Sequence, residues 1–170
     1  WALCQGGNPA QGIPMIAQAI AAFDSVQFRL AEAGHLANLA DAQRRVGRLT
    51  DAAATCERAI QLMPEGSRWL EPELRRVQAV IAADLAPADL EGAESLFRRA
   101  IASAQEFRFP VFERRCLVSF EQFLRSTERH DVTVESRLRE LSHLANLGQR
   151  VASALQVRQS RALDDRAFHV

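Results

Sequence analysis

Small and apolar residues recur along this chain with the period of a helix and, on a longer scale, about every forty residues. Gly12, Ile16 and Ala19 set out a small–large–small pattern at i, i+4 and i+7. Ala52, Cys56 and Ala59 repeat it, and Ala93, Phe97 and Ala100 repeat it again. That spacing puts each trio on one stripe of an α-helix. The copies begin at positions 12, 52 and 93, steps of 40 and 41. A period of that size is the length of a helical hairpin, and small residues at fixed places in it let successive hairpins approach closely. These six residues, Gly12, Ala19, Ala52, Ala59, Ala93 and Ala100, are the predicted packing positions of a helical-repeat array.

Turn signals divide the rest. Residues 1–5 read as the end of a helix closed by Gly6 and Gly7. Asn8 and Pro9 then supply a cap and a first helical position, opening a helix to about Phe23 with Pro14 early in it. Residues 28–46 carry Leu36, Leu39, Ala40 and Gln43 on one stripe, and Gly47 ends that helix. Thr50 is the expected cap of the next, which runs to Met63 and stops at Pro64, Glu65 and Gly66. Ser67 opens a segment in which Pro72 forces a start near Glu71 or a bend, and which reaches Leu85. Pro87 and Asp89 precede a helix over 90–107, and Pro110 begins another to Ser126. After a turn at 128–131, Thr133 is the expected cap of a long last segment. There Leu138, Leu141, Leu144, Val151 and Leu155 cover more than one face, and Gly148 is a candidate break. A helix apolar on two faces has to bury both, by closing the array and packing on something else or by pairing with a second copy.

Composition narrows the classes. The 170 residues are 48% apolar, and 21 basic residues balance 21 acidic ones. Zero net charge gives no bulk attraction to nucleic acid or to a membrane surface. No apolar run approaches the roughly 18 residues of a membrane span, and no signal-peptide pattern is present. Three widely spaced cysteines, one of them on a packing stripe, predict buried free thiols and a reducing cytoplasm. The opening at Trp1 without a methionine, in what reads as mid-helix, gives the expectation of a piece of something longer.

The stripe residues resemble the tetratricopeptide repeat. Its first-helix positions fall on Leu36, Leu39, Ala40 and Gln43 and its second-helix positions on Ala52, Cys56 and Ala59, followed by Pro64. The next copy has Val77, Val80, Ile81 and Asp84, then Ala93, Phe97 and Ala100, with Gln105 where proline would stand. The aromatic and glycine of the first helix are missing, and the period exceeds the standard ~34 residues. Longer hairpins of this kind are similar to the C-terminal repeat regions of large bacterial ATPase-containing transcriptional regulators and adenylate cyclases. The runs 66–76 (Gly66, Trp69, Glu73, Arg75) and 104–115 (Ala104, Phe107, Pro110, Glu113) resemble stretches of those regions. The resemblance implies an all-α fold of antiparallel helical hairpins stacked into a right-handed superhelix, to which the residues after Asp131 add a longer C-terminal helical segment. The resemblance covers roughly residues 1–126 and the segment after Asp131 departs from it, so the chain is read as repeats over 1–130, then, from its own apolar pattern, a capping or dimerisation helix over 131–160 and a frayed tail over 161–170.

Candidate chemistry is sparse. His35, His130, His143 and His169 are scattered with no zinc spacing, and no phosphate-cradling loop or nucleophile motif occurs. No catalytic residue, metal ligand or cofactor is therefore expected. All 21 basic residues are arginine, and three adjacent pairs, Arg44 and Arg45, Arg75 and Arg76, Arg114 and Arg115, fall on first helices of hairpins. If one of each pair points inward, a groove acquires planar donors suited to carboxylate or phosphate. In the other reading they form pairs on a solvated face, with Asp41–Arg45, Glu71–Arg75 and Glu121–Arg125 at i, i+4. Trp69, Phe107, Phe109, Phe112, Phe120 and Phe123 are read as packing between hairpins, with an exposed subset able to anchor a peptide. The expected function is non-catalytic: a regulatory module of a larger cytoplasmic signalling protein or transcriptional regulator. It would bind a protein, a peptide or another domain of the same chain, without direct nucleic-acid or membrane binding. The alternatives are a homodimer through the C-terminal helix and a small-anion sensor.

Overall fold

A computed structural model describes residues 2–63 and 68–167. Expectations that rest on Trp1, Pro64, Glu65, Gly66 or Ser67 lie outside the described residues, as do the side chains of Val151 and Leu155. Among the described residues the chain is all-α, with no strand. It falls into two units, Trp1–His130 and Asp131–Val170.

The first unit holds α1 (Ala2–Gln5), α2 (Pro9–Ser25), α3 (Arg29–Arg45), α4 (Leu49–Gln61), α5 (Glu71–Leu85), α6 (Leu90–Glu106) and α7 (Pro110–Ser126), with a 3-10 turn at Arg68–Leu70 leading into α5. Each helix packs on the next in sequence; in addition α3 touches α5 and α5 touches α7. Those three helices therefore form a layer of their own. The links between α2 and α3, α3 and α4, and α6 and α7 are three residues long, so the chain reverses at once. Each such link has one residue at positive φ: Gln27 (55°), Gly47 (78°) and Arg108 (53°). The left-handed conformation there terminates the preceding helix. Only Gly47 announces itself in the sequence.

The packing stripe is buried. Ala52, Ala59 and Ala100 are 0% exposed and Ala93 is 3%. Gly12 is buried and Ala19 half-buried. At Gly12 a Cβ would lie 2.3 Å from the Cys4 sulfur and 3.2 Å from its backbone nitrogen, so the small residue is what brings α1 onto α2. The large members of the stripe, Ile16, Cys56 and Phe97, are core residues. Phe97 stacks on Phe120 at 5.4 Å and lies tilted against Phe123 at 5.3 Å between ring centroids, and both partners are buried.

Two expected caps are corrected. α4 starts at Leu49, so Thr50 lies inside its first turn, and Arg48 occupies the cap position without a side-chain bond. In the second unit Asp131, not Thr133, closes the helix start: its carboxylate accepts the Thr133 amide at 2.9 Å and the Val134 amide at 3.4 Å. Asp89 does the same for α6, accepting the Gly92 amide at 2.9 Å.

The second unit is α8 (Val132–Ala167), one unbroken helix. It continues through Gly148, the expected break, and through residues 161–167, where fraying was expected. On it Val134 and Leu141 are buried, Leu138 is half-buried, and Leu144 (54%) and Leu147 (42%) are exposed.

Candidate functional site: an arginine-ended groove on α3, α5 and α7

The layer formed by α3, α5 and α7 carries two adjoining clefts. The larger, about 750 Å³, has an apolar wall of Leu49, Val80, Pro87, Leu90, Phe97 and Phe123 and a polar one that includes Asp84, Ser126 and Thr127. The smaller, about 250 Å³, is polar and is lined by Arg44, Arg45, Arg76, Arg114 and Arg115, with Asp41, Ser119 and Gln122. Arg44, Arg45, Val80, Ser119 and Gln122 border both, so the two clefts form one groove with an apolar stretch and an arginine end.

Five of the six arginines singled out from the sequence thus meet at one place. Arg75 does not: it turns back to Glu71, its Nε donating at 2.7 Å. Four of the five, Arg44, Arg45, Arg76 and Arg115, line the cleft and are paired with carboxylates at the same time. Asp41 accepts from Arg45 at 2.9 Å and from Arg44 at 3.4 Å, and Arg44 also reaches Asp84 on α5 at 2.8 Å. Glu73 takes a two-pronged contact from Arg76 at 2.9 and 3.0 Å and a further one from Arg115 on α7 at 2.7 Å. Arg76 Nη1 donates to Ser119 Oγ at 3.1 Å. The three i, i+4 pairs read from the sequence all form, Glu121–Arg125 at 2.6 Å among them.

Arg76 is the pivot. It is 8% exposed. Burial works against its charge, but the bonds to Glu73 and the field of Glu73 and Asp41 outweigh this and raise its pKa above the ordinary value. Asp41 is the converse case. Burial disfavours its carboxylate, yet Arg76, Arg45 and Arg44 together hold its pKa below the usual 3.8. Both therefore stay charged, and a charged buried network with satisfied donors is a fixed scaffold rather than a mobile surface.

Sequence reasoning missed the buried carboxylates. Glu32, Glu73 and Glu113 are 0%, 6% and 4% exposed. Each lies in the first turn of α3, α5 or α7, where the helix dipole favours negative charge. Each takes a donor from another helix: Arg58 to Glu32 at 2.6 Å, Arg115 to Glu73 at 2.7 Å, Gln105 to Glu113 at 2.9 Å. Their signal was in the sequence, since positions 32, 73 and 113 keep the forty-residue period.

The thiols of Cys56 and Cys116 offer little reactivity. Burial, with Glu57 beside Cys56 and Glu73 beside Cys116, pushes both up to about 12. Among the described residues no three His, Cys, Asp or Glu side chains gather to hold a metal ion, and no helix is long and apolar enough to cross a membrane. His35 packs its ring on Phe23 at 4.8 Å and bonds the Ala31 carbonyl at 2.8 Å. No protein-family model matches the chain, and no curated protein is significantly similar to it.

Proposed function

We propose that this chain is a non-catalytic interaction module of tetratricopeptide-like construction, working as a regulatory part of a larger signalling protein. The observation that carries the reading is the groove itself. It is an open, partly apolar channel next to preset arginines, on helices that pack against the Ala and Gly stripe of α2, α4 and α6. Sites that take partner segments join an apolar surface to a few well-placed polar groups. Four of the arginines here are held by carboxylates before any partner arrives, which lowers the ordering cost of binding. A segment with an apolar side chain beside an acidic group fits both halves.

Photocrosslinking from inside the cell tests this. A photoreactive residue at Gln122, which borders both clefts, should trap a discrete partner, and Val80→Glu should abolish the product. The same probe at Arg99, exposed on α6, should not trap it. Equal labelling from both positions, or none from Gln122, refutes the groove as the binding face.

A second reading has its own observation. Leu144 and Leu147 leave an exposed apolar strip on α8, which fits self-association through that helix.

A further inference from the structure

The arginine end holds more positive charge than its own carboxylates cancel. Five guanidinium groups line the small cleft, and among the described residues the carboxylates of Asp41, Glu73 and Asp84 pair with them. Two charges remain. They are not spread evenly, because Arg114 makes no ion pair among the described residues, and its neighbour Arg115 gives Glu73 one nitrogen. Ser119 adds a donor. Its oxygen already accepts from Arg76, so its own hydroxyl hydrogen is left to point elsewhere.

We infer that this end of the groove is a binding site for a compact dianion, a phosphate group, held by Arg114, Arg115 and the Ser119 hydroxyl against the fixed Arg76. Three features select that class. A phosphate carries about −1.5 to −2 charge at neutral pH, which matches the uncompensated charge, whereas one carboxylate would leave half of it. Planar guanidinium forks engage phosphate oxygens in pairs. The cleft, about 250 Å³, is below the ~300–1,000 Å³ of sites for drug-sized ligands and suits a single compact group. The phosphate has two possible sources, free phosphate or a phosphorylated side chain. Only the second rests on the proposed docking of a partner segment.

Phosphorus NMR of inorganic phosphate, titrated with the whole chain in buffer of constant ionic strength, gives the test. The signal should shift saturably, and Arg114→Gln should weaken the apparent affinity about tenfold, the value of a lost charged hydrogen bond. Arg99→Gln removes one charge from outside the cleft and should leave affinity unchanged. Absence of saturation, equal weakening by both variants, or no effect of Arg114→Gln overturns the site. Arg114 is exposed, so its replacement leaves the fold intact; circular dichroism checks this. N-acetyl-phosphoserine-leucinamide forms the second arm. Binding tighter than inorganic phosphate, with the gain lost in Val80→Glu, identifies a segment-borne phosphate that also uses the apolar cleft. Equal affinity identifies free phosphate. Phosphate binding without a crosslinked partner would leave this site standing and remove the docking reading.

Discussion

Single residues show where this chain concentrates its electrostatic cost. Glu73 lies within bonding distance of two arginines from different helices while almost wholly buried. Replacing such a pair with apolar residues can be neutral, but removing one partner strands the other charge. Glu73→Ala leaves Arg76 buried beside Arg115 with no acceptor in place of the carboxylate. We expect a loss of about 3–5 kcal/mol in chemical denaturation; a loss under 1 kcal/mol would show that Arg76 relaxes to water. Three other carboxylates set the acid response. Asp41, Glu71 and Glu94 all have pKa values held below their ordinary 3.8, 4.5 and 4.5. For Asp41 and Glu71 burial opposes the charge and arginines outweigh it; for Glu94 the Arg98 bond leads and Arg129 adds. A carboxyl depressed on folding stabilises fully above its unfolded pKa and loses that contribution as pH falls through the folded value. Thermal midpoints should therefore stay level down to about pH 5 and fall steeply below it. Glu71→Gln should show a shallower fall than the parent.

At the scale of the helix and its turns, the recurring small residues and the turn geometry act together. Ala59 and Ala100 have no exposed surface, so Ala59→Leu or Ala100→Leu forces helices apart and should cost on the order of 1–3 kcal/mol. A melt matching the parent would remove both from the seam. The turn after α6 makes the opposite prediction. Arg108 sits at φ 53°, a conformation that strains any side chain with a Cβ. Arg108→Gly should gain about 0.5–1 kcal/mol, while the same change at exposed Arg99, mid-helix, should lose about that much. These turns also explain what the sequence did and did not disclose. Apolar stripes together with proline, glycine and cap signals marked every long helix, because each of these is a local signal. The left-handed positions at Gln27 and Arg108 were invisible, since no glycine marks them. The cap of α8 was misplaced by two residues because Asp131 and Thr133 are both good cap formers, and only the geometry shows whose oxygen reaches the amides.

For the molecule as a whole, the groove depends on what no local pattern encodes: that α3, α5 and α7, separated by intervening helices, lie side by side. The arginine pairs could be noticed one by one. Their convergence, and the departure of Arg75 from it, required the layer. Buried glutamates escaped notice for a statistical reason, since glutamate is seldom fully buried unless paired, although their forty-residue spacing matched the apolar stripe. The remaining question at this scale is whether the chain acts alone. α8 has buried Leu141 but exposes Leu144 and Leu147, so a test of self-association belongs at Leu144. A charge at Leu141 would unfold what it is meant to probe, because an unpaired buried carboxylate is costly wherever it sits. Leu144→Glu changes a side chain that is 54% exposed and should leave helicity and melting close to the parent. If α8 mediates a homodimer, sedimentation velocity should show the parent as a dimer at micromolar concentration and Leu144→Glu as a monomer. A parent that sediments as a monomer at every concentration would leave the groove on α3, α5 and α7 as the binding surface and remove α8 from that role.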